Sequence, residues 1–280
     1  MAERQIAFEA MTPDHLEAAV SLSRQAGWPH RREDWEMVLS VSQGIVALDE
    51  GRVVATIMMT PYGADFATIN MVIVDAAMRG RGLGRKIMER AILEAGARIC
   101  LLVATQEGLP LYEKLGFVAT GEIAQHQGEA VKVDLPGNVS WAEAGDFDRL
   151  AAMDRAAIGM DRSVLMQKLS AFAKFAVIRE KGEVEAFAAI REFGRGLVVG
   201  PVVARNADEA KALIDFMLAH NQGKFVRVDT EISSALGGWL VERGLVHVGG
   251  GIAMRRAPSS QEITKTAPWR TYALVNQALG

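Results

Sequence analysis

The chain has a single cysteine, Cys100, among its 280 residues. An intramolecular disulfide is therefore excluded. The thiol falls inside the apolar run Ile99–Ala104, where cysteine serves as a small buried hydrophobe. Use as a nucleophile would need an activating base, and the sequence points to none nearby. Excess charge is missing too: 31 Lys and Arg stand against 34 Asp and Glu, for a net charge of −3. That balance argues against a broad nucleic-acid-binding surface. No apolar run approaches the ~20 residues that span a bilayer, and Met1–Gln5 opens no signal-peptide core. The expected setting is the cytoplasm, with no membrane or nucleic-acid partner. No sequence feature fixes an oligomeric state.

Hydrophobic residues make up 50% of the chain, enough for more than one core. Ile6–Glu9 reads as a short strand. Thr12 reads as an N-cap with Pro13 at the first helical position, opening a helix that runs to Gln25 and is ended by Gly27. A second short helix is expected at Asp34–Val41. Strands at Gly44–Leu48 and Val53–Thr60 flank a turn at Asp49–Arg52, and Ala67–Val74 is the third strand of this meander. The next helix has Leu83, Ile87, Ala91, Ile92 and Ala95 on one face. Arg98–Ala104 reads as an interior strand and Leu109–Leu115 as a helix closed by Gly116. Phe117–Gly121 and Glu129–Leu135 form the last strand region. Pro136-Gly137-Asn138 marks a boundary. The same order of elements recurs between Asp146 and Met254. Three parts are expected: 1–137, 138–257 and a terminal segment 258–280, whose Tyr272, Leu274, Val275 and Leu279 argue against a disordered tail. The fold class is α/β with mixed (α+β) sheet, two copies of one fold in tandem.

The strand Met71–Val74 runs toward three alternating glycines, Gly80, Gly82 and Gly84, and a helix follows at once. Glycine lets backbone N–H groups approach a ligand closely. A helix N-terminus adds unpaired N–H groups and the positive end of its dipole. The combination predicts a pyrophosphate cradle. A dinucleotide fingerprint would carry its third glycine one residue later, and a Walker loop would need Gly-Lys-Ser/Thr. A glycine-rich turn without a ligand is the plain alternative.

Arg79, Gly82 and Gly84 also fill the pattern Arg/Gln-x-x-Gly-x-Gly/Ala. This resembles the acetyl-CoA-binding motif of the GNAT N-acetyltransferase superfamily. Pro110–Phe117 resembles that superfamily's Leu-Tyr-x-x-x-Gly-Phe segment, one strand downstream. The second half resembles the degenerate GNAT-like domain of tandem members, through Asp161-Arg162-Ser163, Gly200–Ala204 and Ala278-Leu279-Gly280. Where a second cradle would stand, Val203–Ala207 runs directly into a helix. The resemblance thus implies an acetyl-CoA-binding N-terminal domain and a degenerate C-terminal one.

The function it implies is acetyl transfer from acetyl-CoA to a small-molecule or amino-acid-like amine, without a metal. Backbone groups of Val72 and Val74 would pair with the pantetheine amides. Arg79, Gly80, Arg81, Gly82, Leu83 and Gly84 would hold the pyrophosphate. Thr105 replaces an asparagine common before the tyrosine helix. Tyr112 is the implied general acid toward the CoA sulfur; its plain role is an aromatic packed on the sheet. The glutamate that many members carry before the glycine loop has no counterpart. Thr68 and Asn70 stand there, and either could hold a water that takes the proton. Trp28, His30, Asp34 and Trp35 lie where the acceptor wall usually forms, and aromatics beside a carboxylate suit an ammonium. Trp28 and Trp35 serve equally well as core anchors. Asp229 ends a strand of the second half and could face an interdomain cleft. A non-catalytic acyl-CoA-binding sensor or scaffold is the alternative, favoured by the missing carboxylate and opposed by Tyr112.

Overall fold

A computed structural model describes residues 6–257 and 267–280. The first half runs β1 (Ala7–Ala10), α1 (Leu16–Gln25), α2 (Arg32–Leu39), β2 (Gln43–Asp49), β3 (Arg52–Tyr62), β4 (Phe66–Val74), α3 (Leu83–Ala95), β5 (Ile99–Ala104), α4 (Leu109–Lys114) and β6 (Val118–Glu129). The second half repeats this order: β7 (Val139–Trp141), α5 (Phe147–Ile158), α6 (Ser163–Leu169), β8 (Lys174–Glu180), β9 (Glu183–Phe193), β10 (Gly196–Ala204), α7 (Ala207–Ala219), β11 (Phe225–Glu231), α8 (Gly237–Glu242) and β12 (Val246–Arg256). One further strand, β13 (Arg270–Ala273), follows.

The thirteen described strands form one sheet in the order β1-β2-β3-β4-β5-β12-β6-β11-β10-β9-β8-β7, with β13 beside β10. The two halves exchange their last long strands. β5 pairs with β12, β11 pairs with β6, and β6 and β12 pair with each other. The closing strand expected at Glu129–Leu135 is absent: β6 ends at Glu129, and the chain beyond it is irregular. Val131 and Leu135 are exposed, so no buried face rewards a strand there.

Helices α1, α2, α5 and α6 cover one face of the sheet over a core common to both halves. It includes Leu16, Val20 and Trp35 from the first half and Leu150, Met153 and Phe187 from the second. On the other face, α3 and α4 cover one separate core and α7 and α8 another. Cys100 is buried in the core under α3, and that burial pushes its thiol pKa up. No helix among the described residues is long and apolar enough to cross a membrane.

Two irregularities shape the sheet. β4 bulges at Met71–Val72 opposite Ile57, with Met71 at φ +51° and its carbonyl accepting from Thr56 Oγ1 at 2.9 Å. A bulge bends its strand away from its neighbours. β4 and β5 are paired only at Phe66–Thr68 and then part. In the same way β10 bulges at Gly200–Pro201 and pairs with β11 only at Leu197–Val199. Each half therefore has a gap between two parallel strands.

Candidate functional site

The first gap leads to the glycine turn. Val72 and Val74 are half-buried along its β4 side. Asp75 then accepts from Ala77 N at 2.9 Å and pairs with Arg52, and Gln25 Oε1 accepts from Ala76 N at 2.8 Å. The Arg52 guanidinium holds the Asp75 carboxyl below its ordinary range. These bonds fix where the turn begins. Gly80 and Gly82 adopt φ +75° and +73°, and a Cβ at either would point into open space. Backbone conformation therefore demands glycine at both positions, and both residues are exposed. Gly82 caps α3 with no side chain bonded over the helix end. Leu83, the first α3 residue, is buried. A Cβ on Gly84 would meet Leu111 Cδ2 at 3.4 Å and Val74 Cγ2 at 3.6 Å. The small residue thus lets α4 and β4 close on the start of α3, joining the two sequence motifs in space.

Arg79 and Arg81 are exposed; Arg79 bonds Glu107 at 2.7 Å, which ties that carboxylate to the turn. Thr105 Oγ1 accepts from Gly108 N at 3.2 Å and shapes the entry to α4. A Cβ on Gly108 would press on the Tyr112 ring at 2.8 Å. Tyr112 is buried edge-on to Phe117, and burial pushes its pKa up to about 12. The phenol therefore keeps its proton at neutral pH.

Among the residues expected at an acceptor wall, Asn70 Nδ2 donates to Thr60 Oγ1 at 2.9 Å and Thr68 Oγ1 at 3.2 Å. Asn70 Oδ1 is buried without a partner. Trp35 is fully buried, with Nε1 donating to Ser23 Oγ at 3.1 Å, and so anchors the core. His30 Nδ1 lies 3.2 Å from the same hydroxyl, and its ring meets Trp28 and Phe193 edge-on. Burial lowers the His30 pKa to about 4 against the pull of Asp34, while Arg227 and Arg191 lower it further. Asp34 accepts from Arg31 N at 2.9 Å, from the Arg31 guanidinium at 3.1 Å and from Gly194 N at 2.9 Å. Its carboxylate caps α2 and fastens that helix to the β9–β10 turn. Asp229 is fully buried, ion-paired with Arg227 at 2.8 Å and bonded by Gln277 Nε2 at 3.1 Å.

His30 and Asp34 thus meet the second half at Phe193 and Gly194, with Trp28 edge-on to His30, and Arg227 links Phe193 to Asp229. Asn70 stands apart from this cluster, on β4. The sequence reading did not single out Arg191, Phe193, Arg227 or Gln277. Arg191 carried a signal: it shares a strand face with Phe187 and Ala189, where period two demands an apolar residue.

The second gap is filled. β13 lies against β10, antiparallel to Val202–Ala204, and Leu274 N donates to Asp229 O at 2.8 Å. A Cβ on Gly200 would overlap Leu274 O. Matching the two bulges makes Val199 the counterpart of Asn70 and Val202 the counterpart of Ile73. The terminal segment therefore takes in the second half the place that β4 leaves free in the first, where β3 and β5 are the paired neighbours. The helix ends differ as well. Asn206 caps α7 by accepting from Glu209 N at 2.9 Å, and Arg205 is held by Glu209. The segment ends against both halves: Tyr62 Oη donates to Leu279 O, and Arg162 Nη1 to Gly280 O, each at 2.6 Å.

Among known proteins, two GNAT acetyltransferase domain models match, one at residues 40–119 and one at 150–266. The uncharacterized N-acetyltransferase YitH of Bacillus subtilis (strain 168) is 31% identical over 95% of this chain and 96% of its own length. The holothin acyltransferase of Pseudoalteromonas sp. (strain SANK 73390) is 25% identical over 70% and 71% of the two chains. A crystal structure of a candidate acetyltransferase from Pyrococcus horikoshii shares the fold at a TM-score of 0.83 and 18% identity, across 100% of this chain and 98% of that one.

Proposed function

The chain belongs to the GNAT N-acetyltransferase superfamily, with two such domains in tandem, and on that premise we propose that it moves an acetyl group from acetyl-CoA to the amine of a small-molecule or amino-acid-like acceptor. One observation carries this reading. The two halves have the same gap between parallel strands, and β13 fills the second gap while no strand among the described residues enters the first, which lies beside a helix end without a side-chain cap. The second gap shows what such a slot accepts: an extended chain that bonds to the strand edge. Pantetheine, with its two amides, offers the first gap the same kind of bonding.

Acetyl-CoA would supply the activated acyl thioester. Val72 and Val74 would bond its arm through their backbones. The N–H groups from Arg79 to Gly84, at the positive end of α3, would hold its diphosphate. The buried phenol of Tyr112, with a pKa near 12, keeps a proton available for the departing sulfur. Asn70 Oδ1, buried without a partner, would accept from the acceptor ammonium or from a water that carries its proton away. Holding both reactants in line supplies much of the rate gain in such a transfer.

Thiol release from acetyl-CoA across a panel of amines tests the reading, with Tyr112→Phe and a Gly82 variant as controls. Amine-dependent release is expected. Tight acetyl-CoA binding without release for any amine would favour the sensor or scaffold reading, which the absence of a carboxylate at Thr68 and Asn70 supports. No acetyl-CoA binding would defeat both.

A further inference from the structure

The junction of the two halves contains a buried cation without a bonded carboxylate. Arg191 is 5% exposed. Its Nη1 and Nη2 donate to the carbonyl oxygens of Glu192 and Val275 at 3.2 and 3.4 Å. Its Nε has no partner. The charged groups around it are Arg31, Arg227, Asp34 and Asp229. Both carboxylates are engaged elsewhere, Asp34 by Arg31 and Gly194, Asp229 by Arg227 and Gln277. Glu192 bonds Arg31 from the solvent side with its side chain 77% exposed, so water screens its charge. A guanidinium buried without a counter-ion is costly. A protein tolerates that cost at sites where a ligand brings the missing charge.

The surroundings fit a small anion. Arg191 and Arg227 both lie against the Phe193 ring, at 5.0 and 5.3 Å from its centroid. His30 meets the same ring edge-on at 5.6 Å, and burial keeps it neutral, so it adds no competing charge. Gln277 Nε2 donates to Gln125 Oε1 at 3.2 Å and to Asp229 Oδ1 at 3.1 Å, and Gln125 Nε2 donates to Gln127 Oε1 at 3.0 Å, which leaves one N–H of Gln125 for a ligand. The α1–α2 connection, the β9–β10 turn, β11, β6 and the terminal segment all contribute residues to this junction.

We propose that Arg191, supported by Arg227 and the remaining N–H of Gln125, binds a carboxylate of the acceptor, so that the substrate is an amino acid or another amine bearing a carboxylate. This rests on the transferase reading above. It adds a specificity residue, Arg191, supplied by the half that has no free cofactor slot.

The test pairs each of the common L-amino acids with its neutral carboxamide in the thiol-release assay. The free acid should be preferred by at least ~100-fold in kcat/KM, because a carboxamide leaves the guanidinium unpaired. Arg191→Met should erase the preference and leave acetyl-CoA affinity unchanged. Arg191→Lys, which keeps the charge and loses the fork, should fall between them. Carboxamides used as well as the acids, or a preference that survives in Arg191→Met, would overturn the proposal. If no pair reacts, acetate is the probe: it should raise the Tm of the wild-type chain and leave Arg191→Met unmoved. An equal response in both would again overturn it. The ligand-free Arg191→Met chain should melt at or above the wild-type temperature, since it loses an unpaired buried charge. A large drop would assign the guanidinium to the scaffold and defeat the idea. Failure of the wild type to bind acetyl-CoA would remove the transferase reading, while the acetate arm would still report on Arg191.

Discussion

Replacing Gly82 by glutamate is the sharpest perturbation of the cradle. Gly82 sits at φ +73°, and a Cβ there meets no neighbour. The folding cost is therefore the left-handed backbone alone, ~1–2 kcal/mol for an ordinary residue, which a domain of typical stability survives. The cost to binding is larger. A carboxylate ~5 Å from a diphosphate, at an effective dielectric of about 40, loses ~1.7 kcal/mol for each negative charge it faces. Two such charges give ~3.3 kcal/mol, or roughly 250-fold in Kd. Salt screening trims this toward ~100-fold. Isothermal titration with acetyl-CoA would measure the change, with circular dichroism to show that the variant folds. Gly82→Asn separates charge from bulk, because asparagine accepts the left-handed conformation and is neutral. Its loss should be smaller, and only the glutamate deficit should shrink as salt is raised. A folded Gly82→Glu chain with wild-type affinity would refute the cradle.

Tyr112→Phe should keep acetyl-CoA affinity and lower kcat by ~10²–10⁴, the usual worth of a positioned proton donor; steady-state kinetics at saturating donor would read it, and full turnover would remove Tyr112 from the mechanism. Calorimetric titration should give one acetyl-CoA per chain, because β13 occupies the second slot; two equivalents would contradict that occupancy. His30 binds its proton near pH 4 in the folded chain against 6.5 when unfolded. Between these values the unfolded state holds more protons, so stability should fall as pH drops from about 6.5 toward about 4. Urea midpoints at about pH 7.5 and about pH 5 should therefore converge in His30→Gln, and an unchanged difference would count against the buried neutral imidazole.

Local features were legible in the sequence. The Pro13 helix start, the turn at Asp49–Arg52 and the glycines before Leu83 each depend on residues close in the chain, and the corresponding elements form within a few residues of their expected positions. Partner choice was not legible. β6 and β12 both read as strands, but no periodic pattern states that β5 pairs with β12 rather than with β6. Strand β13 is four residues long, and its backbone bonds to β10 explain it better than any propensity of Arg-Thr-Tyr-Ala. In the site, the carboxylate of Asp34 beside Trp28 and Trp35 read as an ammonium box. Its oxygens go instead to Arg31 and Gly194, and the second of these donors lies 160 residues away in the chain.

The crossed strands also govern when the polypeptide can mature. During synthesis β5 emerges long before β12, its neighbour at Ala104–Ile252, so the first half waits with a bare interior edge. Closing so long a loop slows folding, and an unpaired edge of that kind invites aggregation. A first half expressed alone would present the same bare edge, and a second copy of it could supply the missing strand. Two identical chains trading their last strands and then joined end to end would arrive at this topology, which makes the tandem protein read as a fused, strand-swapped dimer whose second inter-strand gap is taken by its own β13.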